Sequence, residues 1–460
     1  MVKLTDTPGY EPIFGTNGIR GIPNKDLTVE FAQEIGKAIG TYYGKVSVAM
    51  GRDTRDTGNM IFNAVASGLM SSGSGIIDLG ILPTPALQYY CKSKGIFGVV
   101  ITASHNPPRF NGIKCIANDG TELRREDEEK IERIYYEKAF ATVPWEDVGT
   151  LRGDPTSLEL YLDGILSHVN VGKIREKQFR VLVDSGNGAS YFTTPALLRK
   201  LGCSVVSLNT YPDGKFTSRT SEPRPENLKD LISLMKGGNF NLGVAHDGDA
   251  DRAVFIDEKG NFIDGDKTLC LVVRSVIKPG TKVVTPISSS DAIDEICHDG
   301  KADLIRTRVG APLVSRTMID NRAMIGGEEN GGIIYGEHQY CRDGAMTVAL
   351  ILNLMAVGGK RISEMISSLP QFFIHKLSVE RKRDWKSLEP HILSYAETKS
   401  NDRSDGLKIY LSDGWVLMRP SGTEPIIRVY GQSRDEKRAR ELALEYEALI
   451  LGLQEGPSAE

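Results

Sequence analysis

Cysteine is scarce: the 460 residues hold six, Cys91, Cys115, Cys203, Cys270, Cys297 and Cys341, with no CxxC pair among them. That spacing excludes a disulfide framework and a cysteine zinc site, and it fits a reducing, cytoplasmic setting. No apolar run is long enough to cross a bilayer, and the first residues are polar rather than signal-like, so neither membrane insertion nor export is expected. Neither sign of charge dominates. With 56 Lys and Arg against 60 Asp and Glu, the net charge is −4 and the basic footprint of a nucleic-acid binder is missing. A large soluble enzyme remains, and its length suggests about three domains.

Strands alternate with helical stretches through most of the chain, the pattern of mostly parallel sheets flanked by helices. Expected strands at 45–50, 76–79 and Phe97–Ile101 make a first unit. A second follows the polar span 149–156, with strands at 179–183, Ser204–Leu208 and 242–245. Its turn Asp184-Ser185-Gly186-Asn187-Gly188 is not a dinucleotide loop, because Tyr191 stands where the third glycine belongs. A third unit is expected to open with a strand at 254–256 and to include Lys282–Pro286. Beyond residue 369 the pattern changes to a strand at 372–377, a helical stretch at 385–399, two strands flanking 419–425, an amphipathic helix at 434–451 and a loose tail at 456–460. The fold class is therefore α/β: three similar domains with mixed sheets (1–150, 151–253, 254–368) and a C-terminal α+β domain (369–460) around a central cleft.

Four loops between apolar runs carry chemistry. Thr102-Ala103-Ser104-His105-Asn106-Pro107 follows Phe97–Ile101, where α/β sheets place their sites. Ser104 reads either as a helix N-cap or as a nucleophile; the Gly-flanked elbow of a Ser-His hydrolase is absent. In Asp247-Gly248-Asp249-Ala250-Asp251-Arg252, three carboxylates on alternate residues repel one another unless a cation sits among them. Their hard oxygens imply magnesium or calcium. A solvated acidic turn is one alternative and an EF-hand another, but an EF-hand would need glycine where Arg252 stands and 253–256 reads as a strand through the supposed loop, so magnesium with a phosphate ligand is the better reading.

A phosphate site should then lie elsewhere. Arg419-Pro420-Ser421-Gly422-Thr423-Glu424-Pro425 offers backbone N–H groups at a permissive glycine, two hydroxyls and, with Arg428, two guanidinium forks; the alternative is a plain hairpin turn. Gly326-Gly327-Glu328-Glu329-Asn330-Gly331-Gly332 offers acceptors and donors suited to vicinal hydroxyls, a weak signal alone.

In combination and in order, these loops resemble the α-D-phosphohexomutase superfamily, and the likeness spans nearly the whole chain. It implies that Ser104 carries a phosphoryl group and, with Asp247, Asp249 and Asp251, ligates Mg2+. It implies that Glu328, Asn330, Val309 and Gly310 read the sugar, and that Arg419, Ser421, Gly422, Thr423 and Arg428 grip the non-reacting phosphate. Phe14-Gly15-Thr16-Asn17-Gly18-Ile19-Arg20-Gly21 is similar to the glucosamine branch and brings Arg20 to the phosphoserine. Asn111-Gly112-Ile113-Lys114 matches as well, so Lys114, beside His105, is a candidate acid/base or electrostatic group; Arg252 is a further helper. A base working near neutral pH is needed, and His105 or a depressed Lys114 would supply it.

Bacterial glucosamine enzymes end the sugar loop Ser-Gly-His; here it ends Asn330-Gly331-Gly332, the archaeal form, and nearby His338 reads as an ordinary loop histidine. The implied activity is mutase chemistry on a hexose phosphate, glucosamine phosphate first, with hexose 1,6-bisphosphate as activator and phosphorylated Ser104 as carrier. A broad phosphomannomutase/phosphoglucomutase is the alternative; a non-catalytic phosphosugar-binding protein and a phosphatase rank behind. The partner is a small phosphosugar, and a homodimer is compatible with the resemblance.

Overall fold

The computed structural model describes residues 11–15, 17–396, 400–421 and 425–455. The tail 456–460 and the end of the expected helical stretch at 397–399 lie outside them, as do Thr16, Gly422 and Thr423. The described residues form four sheets in sequence. In the first, Phe97–Ile101, Ser47–Arg52, Gly75–Ile81 and Leu151–Gly153 run parallel, while Asn111–Ile116 and Ile19–Gly21 close one side antiparallel. The second has parallel Leu242–His246, Arg180–Asp184 and Ser204–Leu208, extended antiparallel by Ala253–Ile256 and Phe262–Ile263. The third repeats the plan with Asp303–Thr307, Lys282–Pro286 and Ile325–Gly327 parallel and Ile333–Tyr335 antiparallel. The fourth is antiparallel throughout, with Asn401–Asp402 and Leu407–Leu411 beyond the strands expected.

One device recurs. In each of the first three sheets a parallel strand ends, a short loop follows, and the chain returns antiparallel beside the strand it has just left: Ile101 faces Ile113, His246 faces Ala253, and Gly327 faces Ile333. In the fourth sheet, antiparallel throughout, the consecutive strands Gly414–Pro420 and Ile426–Ser433 also pair side by side. This corrects two expected boundaries. Ala253–Ile256 belongs to the second sheet instead of opening the third unit, because a short loop leaves the chain nowhere nearer to pair than its own preceding strand. Leu151–Gly153 likewise completes the first sheet beside Gly75–Ile81.

The helix Gly344–Gly358 was not anticipated as an element. It is apolar all round and buried on most of its surface, so it works as a central post. Asp343 caps it by accepting the Met346 N–H at 2.9 Å. Among the described residues, no helix is long and apolar enough to cross a membrane.

Candidate active site

Ser104 does not cap a helix; it sits in a hairpin loop with φ +50°, a left-handed conformation that costs a residue with a side chain. The surroundings enforce it. Its N–H donates to Thr102 Oγ1 at 2.9 Å, and Thr102 Oγ1 donates to Asp53 Oδ2 at 2.6 Å. Arg55, from the turn after Ser47–Arg52, donates to the carbonyls of Ser104 (2.8 Å), Asn106 (2.7 Å), Pro107 (2.9 Å) and Phe110 (2.9 Å), and its Nε donates to Asp53 at 3.0 Å. Every donor of that guanidinium is used, and the group stacks on Phe216 of the second domain. Ser221 of that domain donates to the His105 carbonyl at 2.8 Å. Sequence reading missed Arg55, since its partners are mostly backbone carbonyls that no motif displays.

The aspartates converge on this serine from the second domain. Ala250, at φ +56°, folds their loop, so convergence comes from a left-handed turn rather than from simple alternation along extended backbone. One carboxylate oxygen from each of Asp247, Asp249 and Asp251 lies within 4.8 Å of the others, all buried. Ser104 Oγ donates to Asp247 Oδ2 at 3.1 Å. Asp249 Oδ2 accepts from Thr84 Oγ1 at 2.7 Å and Lys114 Nζ at 3.0 Å; Arg252 Nε donates to Asp247 at 2.8 Å, and Arg342 pairs with Asp251. In this cluster Asp249 Oδ1, Asp251 Oδ1 and Arg252 Nη2 are buried and make no hydrogen bond among the described residues, Asp251 Oδ1 having only Arg252 Nε at 3.9 Å. Two orphaned carboxylate oxygens beside a serine hydroxyl fit a hard divalent cation, and an orphaned guanidinium nitrogen fits an anion.

The electrostatics are steep. Burial alone would raise Asp249, but Lys114, Thr84 and Ser104 hold it well below the carboxylate range, while burial and the neighbouring aspartates push Asp251 up. Burial would lower Lys114, yet Asp249, Asp251 and Glu122 outweigh it and the amine titrates above its ordinary value. His105, between Arg252 and Arg20, is driven down to about 2 by the Arg252 charge and by burial. The expectation of a histidine or a depressed lysine titrating near neutrality is therefore not met in this arrangement, because cations crowd His105 and carboxylates surround Lys114. Burial lowers Arg20 against the pull of Asp249 and Asp251; it reaches the loop by donating to Asn106 Oδ1. Burial raises Glu122, another group that sequence reading missed.

On the sugar loop, Glu328 is buried, accepting from the Gly310 N–H at 3.2 Å and from Arg342 Nη1 at 2.8 Å. Asn330 is exposed, its Oδ1 accepting from the Gly332 N–H at 3.1 Å. The Val309 N–H donates to Asp405 Oδ2 at 2.9 Å, and the same oxygen accepts from Arg419 Nε at 2.7 Å. Arg419 and Arg428 face each other across neighbouring strands, and buried Ser421 donates its N–H to Ile426 at 2.8 Å. His338 is no part of this assembly: it is buried, stacked on Tyr89 at 4.5 Å with Asp343 at 3.4 Å. Arg342, joining the metal loop to the sugar loop, was also missed; it precedes the cap residue Asp343 and carries no motif of its own.

Four domain models match the chain in order. They describe the phosphoglucomutase/phosphomannomutase alpha/beta/alpha domains I, II and III over residues 11–142, 159–260 and 264–373, and its C-terminal domain over 376–449. The chain is 44% identical over 441 residues to a phosphoglucomutase/phosphomannomutase of Thermococcus kodakarensis, covering 93% of this chain and 96% of that one. It is 41% identical over 451 residues to a phosphoglucosamine/phosphogalactosamine mutase of Sulfurisphaera tokodaii, covering 96% and 99%. A solved phosphoglucomutase/phosphomannomutase family protein of Burkholderia thailandensis matches with a TM-score of 0.86 at 25% identity, over 97% of this chain and 98% of that one.

Proposed function

The chain belongs to the phosphoglucomutase/phosphomannomutase family, and on that premise we infer that it is an intramolecular phosphotransferase interconverting hexose 6-phosphate and hexose 1-phosphate, with glucosamine phosphate preferred. The observation that carries this reading is Ser104 Oγ meeting Asp247 at 3.1 Å inside a carboxylate trio with oxygens to spare. A site that only binds a sugar phosphate has no use for a serine among metal ligands; a phosphoryl store does.

Phosphoryl transfer has a loose transition state, so the protein chiefly orients groups and offsets spread charge. Asp247, Asp249 and Asp251, with an oxygen of phosphorylated Ser104, would hold magnesium, which supplies Lewis-acid neutralisation when bound. Lys114, Arg20 and Arg252 add fixed positive charge, and the free Nη2 of Arg252 is a donor for a phosphoryl oxygen. Phosphorylated Ser104 gives its phosphoryl group to the free hydroxyl of the sugar monophosphate: the Oγ–P bond breaks with its electron pair staying on Oγ, a sugar O–P bond forms, and the hydroxyl proton passes by way of a base to Ser104 Oγ. His105 has the free lone pair for that proton, and a phosphoserine dianion beside it would raise its basicity; Lys114, held protonated, is an electrostatic partner. The resulting 1,6-bisphosphate turns over and returns its other phosphoryl group to Ser104, which is why free bisphosphate acts as activator. Glu328, Asn330, Val309 and Gly310 serve the sugar, and Arg419, Ser421, Gly422, Thr423 and Arg428 serve whichever phosphate is not reacting.

The 14–21 segment and the 419–425 loop favour glucosamine. The 44% relative and the Asn330-Gly331-Gly332 ending favour a second reading, a broad phosphomannomutase/phosphoglucomutase. Phosphorus NMR of glucosamine, glucose and mannose 6-phosphates with magnesium and catalytic bisphosphate separates them. Preferential formation of glucosamine 1-phosphate supports the first reading, equal rates the second, and accumulation of inorganic phosphate would mean a phosphatase.

A further inference from the structure

Arg342 stands at the junction of two loops that the reaction uses separately. Its Nη2 pairs with Asp251 of the triad and its Nη1 donates to Glu328 of the sugar loop at 2.8 Å, with only 9% of the side chain exposed. Glu122 and Asp247 add to the negative field around it. The arm is seated by the main chain: a Cβ at Gly332 would lie 2.2 Å from Arg342 Cδ, so the bare glycine backbone makes the groove in which the arginine lies. The other oxygen of Asp251, Oδ1, accepts no hydrogen bond from the described residues and has only Arg252 Nε at 3.9 Å, so this carboxylate is committed to the Arg342 guanidinium on one side and open to a closer ligand on the other.

A guanidinium and a divalent cation at Asp251 compete for the same charge. We propose that Arg342 is a positioning residue that sets the magnesium affinity of the triad against the order of the sugar loop. Its charge offsets the three carboxylates and so weakens cation binding. A cation bound at Asp251 loosens that ion pair and leaves the fork to Glu328 and to acceptor oxygens of the ligand. Metal occupancy and sugar recognition are thereby linked through one buried side chain. The inference rests on the triad being a cation site, as proposed above.

Calorimetric titration of the full chain with magnesium chloride alone tests it without reference to turnover. Arg342→Met should bind magnesium about tenfold more tightly, because a positive charge next to a ligand is gone. Arg342→Lys, which keeps the charge, should stay within about threefold of the parent affinity. Both should raise KM for the sugar phosphate by about tenfold with a smaller fall in kcat, because neither side chain can fork between Asp251 and Glu328. Arg342→Met strands Glu328 in a buried place; if that variant does not fold, the double change Arg342→Met with Glu328→Gln removes the stranded charge and should show the same tightening. Unchanged or weaker magnesium binding in these Met variants would overturn the proposal. Failure of the parent protein to bind magnesium would overturn the cation reading of the triad and this inference with it.

Discussion

The first three domains and the fourth are joined in different ways. One apolar core runs through the former, from Leu87 and Tyr90 in the first through Phe255 in the second to Val283 and Leu352 in the third. The C-terminal domain keeps its own core around Ile409, Met418, Val429 and Ile450, and among the described residues a small apolar cluster of Ile287 with Trp415 and Leu417 reaches across. The rest of that joint is polar: Lys408 Nζ donates to the Ile287 carbonyl at 2.9 Å, Trp415 Nε1 to Asp291 at 2.9 Å, and the Val309 N–H to Asp405 at 2.9 Å. The serine and the aspartates thus sit on shared, dry packing, whereas the fourth domain, which carries Arg419 and Arg428, is held to the third largely by hydrogen bonds. A reaction that must hold its reacting groups still while a bisphosphate turns over is served by that division.

The widest separation between the two regions should come from Ser104→Ala, which removes the proposed phosphoryl carrier and should lower turnover by at least about a thousandfold. Urea unfolding of the same variant should change by no more than about 1 kcal/mol, the worth of one hydrogen bond. Next is Arg55→Ala. It strands buried Asp53 and several loop carbonyls, so stability should fall by about 3–5 kcal/mol in the same assay, with a loss of kcat as Ser104 leaves its left-handed seat. In the fourth domain, Arg419→Ala should leave stability within about 1 kcal/mol and raise KM for the sugar phosphate far more than it lowers kcat. Equal stability losses at Arg55 and Arg419 would erase the contrast.

The smallest effect concerns pH. Burial, with Arg306 nearby, lowers Lys408 to about 8 from 10.5, so between these values the unfolded chain holds the extra proton and stability rises with pH. Relative to Lys408→Met, the parent protein should gain about 2 kcal/mol between about pH 8 and 10.5, followed by denaturant unfolding at each pH. A parent and variant that track each other would remove Lys408 from the joint's energetics.

Much of this was legible in the sequence because the loops follow apolar strands whose ends locate them: Phe97–Ile101 and Lys282–Pro286 lie as read, and Ser104 does meet the aspartates. The hairpin return of each loop was not legible, since apolar 253–256 fits the end of one sheet as well as the start of the next. Arg55 and Arg342 were missed because they act at long range on backbone carbonyls and on carboxylates far away in sequence, where neither spacing nor periodicity records a partner. The protonation state of His105 depends on Arg252 and Arg20 converging from different segments, which only the fold brings about.

A phosphoryl carrier must itself be modified during the reaction, and Ser104 is the residue to find modified. Incubating the protein with magnesium and hexose 1,6-bisphosphate, followed by peptide mass spectrometry, should find one phosphoryl group on the peptide holding Ser104 and its transfer to added sugar monophosphate. A protein that converts sugar phosphates while that peptide stays unmodified, or whose Ser104→Ala variant turns over at the parent rate, would contradict the carrier role of Ser104.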